Sequence, residues 1–183
     1  YHTMRWARAL AYYNHFVRLH DGAVEKYQAY HRMGDCCRML AGQGKIHLMK
    51  KAEECERAAI ALIPAWKDAW FGLAENAMLR GDWRMTLNYA ALGDPERFGK
   101  YAQGLDKPNN LLVLNDLDYN LHIDIPVHRA LGALGRVEDA LDVVTKASVV
   151  IPNHGEIIQA LKVYGDLVQE KKAVEETVEE PAV

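Results

Sequence analysis

Two aspartates in the middle of the chain have the spacing of a possible cation site. Asp116-Leu117-Asp118 follows an apolar run at residues 111–114. Where such a triplet ends a β-strand, its carboxylates can hold a divalent cation against a diphosphate, because hard cations prefer oxygen ligands. That arrangement needs an open sheet of several strands, for which the chain has no room. We therefore interpret Asp116 and Asp118 as residues of a polar connection within a helical insertion.

The histidines that follow this triplet give a second possible ligand set. Asp124 and His128 lie two and six residues after His122. This spacing does not match the i, i+4 histidine pair of a helical zinc site. We interpret the three residues as solvated loop positions, and the sequence predicts no metal site and no cofactor.

The three cysteines do not form a metal-binding or disulfide pattern. Cys36 and Cys37 are consecutive, so on a helix their side chains diverge by about 100°, and Cys55 belongs to the next predicted helix. A zinc site would need Cys-x2-Cys or similar spacing. The sequence predicts buried free thiols, and an odd cysteine count favours a reducing compartment, which we take to be the cytoplasm.

Composition and motifs exclude several functional classes. The 183 residues carry a net charge of -3, whereas a dedicated nucleic-acid-binding domain is usually basic. No apolar run approaches the roughly 18 residues of a membrane span. Glycine-rich nucleotide loops and the Gly-x-Ser-x-Gly elbow do not occur. Charged residues such as Glu53, Glu54 and Glu56 are interpreted as a solvated helix face, and the chain is predicted not to be an enzyme by itself.

The periodicity of apolar residues is helical almost throughout, which predicts an all-α fold. Glycine-containing breaks and prolines separate the predicted helices. The predicted helices span residues 4–20, 23–41, 46–63, 66–80, 83–93, 125–134, 137–151 and 154–171.

Two segments repeat the same spacing of small residues and proline. Ala52, Ala59 and Pro64 are separated by seven and five residues, and a second set reproduces these intervals. Alanines seven residues apart lie on nearly the same helix face and allow a neighbouring helix to approach closely. The complete predicted signature is Ala52, Ala59, Pro64, Trp70, Leu73, Ala74, Gly81, Gly135, Ala140, Ala147 and Pro152.

These residues resemble tetratricopeptide repeats, helical hairpins of 34 residues with Trp, Gly, Tyr, Ala and Pro at fixed positions. The resemblance covers most of residues 33–152 and is degenerate, since Ala74, Ala77 and Thr86 replace the usual Gly, Tyr and Ala. It implies a short right-handed α-solenoid of antiparallel helix hairpins. Pro64 and Pro152 lie 88 residues apart, so about 20 residues are inserted between two repeats, at about residues 94–121.

A narrower resemblance concerns residues 112–119, ending in Asp118-Tyr119, and the helices that follow. They are similar to the repeat region that follows the catalytic domain in some bacterial and phage glycosyltransferases that use nucleotide sugars. This resemblance implies an alternative function, in which the chain is the helical accessory region of an enzyme whose catalytic domain lies outside it. A further alternative is a structural subunit of a larger assembly.

The primary hypothesis is a non-catalytic scaffold for protein–protein interaction. Tyr12, Tyr13, Tyr27 and Tyr30 are the candidate partner-binding residues, because aromatic side chains dominate interface energetics. Possible partners are another protein, a second copy of the chain or an upstream catalytic domain, with no nucleic acid and no membrane. Residues 1–172 are predicted to form the repeat domain, and residues 173–183 an acidic disordered tail.

Overall fold

The computed structural model describes residues 2–102 and 121–179, and these ranges are almost entirely helical, without a β-strand. The all-α prediction is therefore confirmed. The elements are α1 His2–Leu19, α2 Ala23–Gly42, α3 Leu48–Leu62, α4 Lys67–Leu79, α5 Trp83–Gly93, α6 Pro95–Phe98, a 3-10 helix Gly99–Ala102, α7 Leu121–Ala133, α8 Val137–Val150 and α9 Gly155–Glu179.

The chain divides into two compact units, residues 1–118 and 119–183. In the first unit each of α1 to α5 packs against its neighbour in sequence, and α4 also contacts α2. In the second unit α8 contacts both α7 and α9. The division falls inside the predicted insertion, and a single repeat domain over residues 1–172 stays a prediction.

Three helix pairs are connected by turns with the same hydrogen-bond pattern. Gly44, Gly81 and Gly135 follow α2, α4 and α7 with φ of 96°, 74° and 73°. In each turn the glycine N–H donates to the carbonyl three residues before it, and the next N–H donates to the carbonyl five residues before it. Glycine adopts this left-handed conformation at little cost, so these three positions end their helices in the same way.

The second helix of each pair also ends in a common geometry. Ile63, Asp94 and Ile151 follow α3, α5 and α8 with φ between -146° and -133°, and each donates its N–H to an alanine carbonyl four residues earlier. These alanines are fully buried. A proline follows each of the three residues directly and cannot donate a helical hydrogen bond. The prolines are Pro64, Pro95 and Pro152.

The start of the predicted irregular insertion is regular and belongs to the first unit. Asp94 accepts a hydrogen bond from the backbone N–H of Arg97, 3.0 Å away, and so caps α6. Phe98 and Tyr101 are buried, and Phe98 packs edge-on against Phe71. The helix breaks at Asp94 as predicted, and residues 95–102 then form two short helical segments instead of an irregular chain. Residues 103–120 lie outside the described part of the chain, and the insertion as a whole stays a prediction.

The predicted signature residues contribute mainly to packing. Six of them are buried, namely Ala52, Ala59, Leu73, Ala74, Ala140 and Ala147. Trp70 is half-buried, and its indole N–H donates to the Pro64 carbonyl at 3.0 Å. Pro64 and Pro152 are themselves exposed. In the second unit the apolar core joins Val144 and Ala147 of α8 to Ile157 of α9.

The C-terminal part of the chain corrects one prediction. Helix α9 continues to Glu179, so residues 173–179 are helical, where a disordered tail was predicted from residue 173. The segment is rich in Ala, Glu and Lys, and extending an existing helix requires no new nucleus. Lys171 also forms an ion pair with Glu138 of α8. Residues 180–183 lie outside the described part.

No helix in residues 2–102 and 121–179 has the length and apolar composition required to cross a lipid bilayer.

Candidate functional site

The most concentrated group of charged side chains lies between α2, α3 and α4. Helix α2 places three residues at i, i+4 and i+7, which lie on one helix face. Helices α3 and α4 contribute two carboxylates and an amide. This group, called the polar cluster below, consists of His31, Asp35, Arg38, Glu56, Glu75 and Asn76.

Glu56 is the centre of the polar cluster and is completely buried. Its Oε1 accepts a hydrogen bond from Arg38 Nη1 at 2.7 Å, and its Oε2 lies 2.9 Å from His31 Nδ1. Gly34 of α2 and Gly72 of α4 face this carboxylate, and a Cβ at either position would overlap it. The absence of a side chain at residues 34 and 72 thus provides the space in which Glu56 lies.

Arg38 connects all three helices through its guanidinium group. Besides Glu56, Nη1 donates to the Gly72 carbonyl at 3.1 Å, Nη2 donates to Asp35 Oδ1 at 2.5 Å, and Nε lies 3.1 Å from Glu75 Oε2. Burial acts to lower the pKa of Arg38, but the charges of Glu56, Glu75 and Asp35 outweigh it and raise the pKa above its ordinary value. The guanidinium therefore stays charged inside the protein, which requires these carboxylate partners.

His31 lies at the edge of the polar cluster, with about a fifth of its side chain exposed. Burial acts to lower its pKa, but the hydrogen bond with Glu56 and the charges of Glu56 and Asp35 outweigh burial, so the pKa is raised. His31 Nε2 lies 4.0 Å from Asp35 Oδ2. The imidazole is thus placed between two carboxylates.

Negative charge exceeds positive charge in the polar cluster. Asp35, Glu56 and Glu75 carry three negative charges against one on Arg38, which leaves a charge of -2 when His31 is neutral. The exposed Arg32 reaches Asp35 Oδ2 from the surface at 3.2 Å. The two buried charges, Arg38 and Glu56, balance each other, and the excess negative charge lies on the partly exposed Asp35 and Glu75.

Asn76 is a buried member whose hydrogen bonding is incomplete. It is fully buried, and its Oδ1 lies 3.5 Å from Arg38 Nη1. Its Nδ2 has no hydrogen-bond partner among the described residues. A buried donor without an acceptor costs about 1–3 kcal/mol, so this atom marks a place where the polar cluster can accept one more oxygen.

The four candidate tyrosines have different surroundings. Tyr12 is 62% exposed, and its ring contacts Tyr13 and Phe16 on α1. Tyr13 and Tyr30 are half-buried. Tyr27 is buried, packs edge-on against Trp66 and accepts a hydrogen bond from a backbone N–H at 3.0 Å. The prediction that Tyr27 contacts a partner is therefore wrong for this arrangement, since Tyr27 packs inside the first unit.

The cysteines are buried and free, so the prediction of buried thiols is confirmed. A hydrogen bond between the Cys37 and Cys55 thiols lowers the pKa of Cys37 and, together with burial, raises that of Cys55. Burial raises the pKa of Cys36 to about 11. These thiols pack α2 against α3 and are shielded from solvent.

The mid-chain residues are only partly described. Asp116 and Asp118 lie outside the described residues, as does the side chain of His122. Asp124 and His128 are buried on α7, four residues apart, so the prediction of solvated loop positions is wrong for both. The sequence could have indicated this burial through their i, i+4 spacing, which places both residues on one face of a helix.

His128 belongs to a second polar group, in the second unit. Its Nδ1 lies 3.3 Å from the Tyr164 hydroxyl, which also reaches the His128 carbonyl at 3.2 Å. Burial lowers the pKa of His128 to about 4, although the negative charge of Glu156 acts to raise it. Glu156 Oε1 lies 3.6 Å from His128 Nε2 and accepts hydrogen bonds from Arg129 at 2.7 and 2.8 Å.

The polar cluster itself was missed by sequence reasoning. Glu56 was interpreted as solvated together with Glu53 and Glu54, whereas only Glu56 is fully buried. The available signal was its position in the stripe Ala52, Cys55, Glu56 and Ala59, whose spacing of three, four and seven residues marks the buried face of α3.

Comparisons with known proteins give no assignment: no protein-family model, no curated protein and no solved structure matches this chain.

Proposed function

We propose that the chain is a tetratricopeptide-like scaffold that binds another protein and performs no chemistry of its own. The observation that carries this proposal is the repetition of one hairpin design along the chain. The pairs α2–α3, α4–α5 and α7–α8 share the glycine turn and the proline-terminated exit. Repetition of one helical hairpin is the hallmark of α-solenoids, which use extended surfaces for binding.

The buried alanines support the same proposal. Ala59, Ala90 and Ala147 occupy the same position before the three proline exits, and all are fully buried. Small residues at such positions permit close helix packing, which a stack of hairpins requires. Under this proposal the hairpins form a short right-handed α-solenoid, and α5 is a shortened second helix.

The aromatic surface of α1 is the proposed contact region for a partner. Tyr12, Tyr13 and Phe16 lie next to one another, and Phe16 stacks on His20 with ring centroids 3.7 Å apart. Tyrosine supplies large contact area with few rotatable bonds, so exposed aromatic groups of this kind are typical interface residues. The partly exposed Tyr30 on α2 remains a further candidate.

The polar cluster supports a non-catalytic role. Its carboxylates and guanidinium are paired with each other, and its central residue Glu56 is inaccessible to a substrate. The three buried free cysteines are compatible with a reducing compartment, which favours a cytoplasmic protein. The alternative of a glycosyltransferase accessory region depends on residues 112–119, which lie outside the described part, and on the helices that follow them.

Affinity capture with matched variants tests the scaffold proposal. The wild-type chain, the double variant Tyr12→Ala/Phe16→Ala and the control Val149→Ala are immobilised and exposed to extract of the source cells. Val149 is 80% exposed on α8 and serves as an apolar surface position remote in sequence. We expect the wild type and the control to retain the same protein, and the double variant to retain about fivefold less of it.

Two results would contradict the proposal. One is that the wild-type chain retains no protein above background, and the other is that the double variant retains as much as the control. Light scattering during size exclusion distinguishes the structural-subunit alternative, because a subunit that tiles a surface should assemble with itself as concentration rises. Circular dichroism verifies that each variant keeps its helicity.

A further inference from the structure

We propose that His31, Asp35 and Glu56 bind a divalent transition-metal ion of the zinc class, which would fix α2 to α3. One ligand atom from each of the three residues can be chosen so that all lie within 4.8 Å of one another. Two of the residues come from α2 and one from α3, so a bound ion would connect the helices of one hairpin. The inference concerns the interior of the first unit and is independent of the scaffold proposal.

The distances between donor atoms suit a small ion. His31 Nδ1 lies 2.9 Å from Glu56 Oε2, and His31 Nε2 lies 4.0 Å from Asp35 Oδ2. In a tetrahedral zinc site with bonds of about 2.0–2.2 Å, neighbouring ligand atoms are about 3.3–3.6 Å apart. A histidine binds one ion through a single ring nitrogen, so the two separations are alternatives for His31. Nδ1 and Glu56 Oε2 are slightly closer than the tetrahedral value, and one ligand atom from each of the three residues lies within 4.8 Å of the others, so rotation of the His31 and Asp35 side chains would bring three ligands to one ion.

Arg38 orients both carboxylates through one oxygen of each, and an ion at the second oxygens would replace the hydrogen bond that the exposed Arg32 donates to Asp35 Oδ2 at 3.2 Å. Arg38 binds Glu56 through Oε1 and Asp35 through Oδ1. The second oxygens, Oε2 of Glu56 and Oδ2 of Asp35, face His31. Metal-binding carboxylates are commonly held in this way by an outer hydrogen-bonding partner.

The charge of the ligand residues favours a cation. The two carboxylate ligands, Asp35 and Glu56, share the guanidinium of Arg38, so with neutral His31 these three charged groups carry -1 and attract a cation. A ligand set of one imidazole and two carboxylates matches zinc and its transition-metal neighbours. Magnesium and calcium prefer ligand sets built only from oxygen.

Asn76 gives a second, independent indication of a missing ligand. Its fully buried Nδ2 donor lacks an acceptor among the described residues, and its Oδ1 points to Arg38 in the same cluster. A zinc ion with three protein ligands keeps a water in the fourth position. Asn76 contacts Arg38, which orients both carboxylates, and an oxygen added beside Asn76 would supply the acceptor that its Nδ2 lacks. The partial exposure of His31 and Asp35 provides a route for the ion from solvent.

Zinc titration of the full chain tests this proposal. Isothermal titration calorimetry with Zn²⁺ alone compares the wild type, Asp35→Asn, His31→Gln and the control His15→Gln, which alters an exposed histidine of α1. We expect one Zn²⁺ per chain, and a loss of affinity of about tenfold or more in Asp35→Asn and His31→Gln. The control is expected to bind like the wild type, and Mg²⁺ is expected to bind none of them.

Cobalt spectroscopy separates this site from the buried thiols. Co²⁺ bound by imidazole and carboxylate lacks the charge-transfer absorption that thiolate ligands produce. The proposal is overturned if the wild type binds no Zn²⁺, if Asp35→Asn keeps wild-type affinity, or if the cobalt complex shows thiolate absorption. Because Asp35 is partly exposed, we expect its asparagine variant to keep the fold, which circular dichroism verifies, and this variant decides the question even if His31→Gln does not fold.

Discussion

Each unit places a histidine among polar groups, and the pKa values of the two histidines are shifted in opposite directions. His31 contacts Glu56 directly at 2.9 Å, and its pKa is raised although burial opposes this. His128 lies 3.6 Å from Glu156, which already binds Arg129, and burial lowers its pKa to about 4. In this protein the contact with Glu56 outweighs burial at His31, whereas the more distant Glu156 does not outweigh burial at His128.

The polar cluster and the group around His128 also differ in how many helices they connect. In the first unit Glu56 and Arg38 connect α2, α3 and α4 through buried charges. In the second unit the hydroxyl of the partly exposed Tyr164 connects α9 to α7 through the ring nitrogen and the carbonyl of His128. We therefore expect substitutions in the polar cluster to cost more stability than substitutions around His128.

The largest effect is expected for Glu56→Ala. Removing this carboxylate leaves Arg38 buried with fewer partners, and breaking a buried ion pair costs about 3–5 kcal/mol. Urea unfolding followed by tryptophan fluorescence measures the change, because all four tryptophans lie in the first unit. The control Glu54→Ala alters an exposed neighbour on α3 and should change stability by about 0.5 kcal/mol or less. Equal effects of both substitutions would contradict the comparison.

The pH dependence of stability should have opposite signs at the two histidines in metal-free protein. The folded pKa of His128 lies below its unfolded value, so its contribution is complete above about pH 6.5 and is lost as pH falls through 4. The loss amounts to about 3 kcal/mol. The folded pKa of His31 is raised, so its contribution is complete below about pH 6.5 and is lost as pH rises through the folded pKa.

Difference measurements isolate these two contributions. The free energy of unfolding is compared between the wild type and His128→Gln, and separately His31→Gln, from pH 4 to pH 8 in the presence of a chelator. Hydrogen exchange of residues 121–179 reports the second unit, and tryptophan fluorescence reports the first. Two difference profiles with the same slope would contradict the assignment.

Alanine substitution of two packed glycines should produce intermediate effects. A Cβ at Gly72 would overlap Glu56, and a Cβ at Gly132 would overlap the hydroxyl of Tyr164. We expect a loss of about 1–3 kcal/mol at each position, with the larger loss at Gly72, because Glu56 is fully buried whereas Tyr164 is partly exposed and can move. The control Gly42→Ala meets no atom within 4 Å. Thermal unfolding measures the stability of each variant. A loss of stability in Gly42→Ala as large as that in Gly72→Ala would contradict the steric explanation.

The smallest predicted effect concerns the shared turns. Gly135→Ala places a side chain at φ 73° and should destabilise the second unit by about 1 kcal/mol through backbone strain. Gly165→Ala lies within α9 at a position with open space and should be neutral or stabilising. Hydrogen exchange of α7 and α8 measures the difference. No loss of protection in Gly135→Ala would show that the turn tolerates a side chain.

Helix positions were largely predictable because they depend on neighbouring residues. The predicted helix at residues 83–93 coincides with α5, and the glycines at 81 and 135 end helices as predicted. The start of α7 at Leu121 was placed four residues too late, and α9 extends beyond the predicted end at residue 171. Helix ends of this kind depend on weak local preferences and are therefore the least certain part of a prediction.

The polar cluster was not predictable, because the burial of Glu56 depends on α2 and α4 as much as on its own helix. A glutamate among lysines and glutamates at residues 50–56 has the composition of a solvated surface. Only the packing of Gly34 and Gly72 around it, and the approach of Arg38, makes it the centre of a buried network.

Local sequence thus determined the helices, the glycine turns and the proline exits, since backbone conformation there depends on a few adjacent residues. Tertiary structure alone decided which charged residues are buried, in which direction the pKa of each histidine is shifted and which tyrosines are exposed. The physical reason is that burial and electrostatic pairing depend on side chains that are distant in sequence, such as His31 and Glu56, and that meet only when the helices pack.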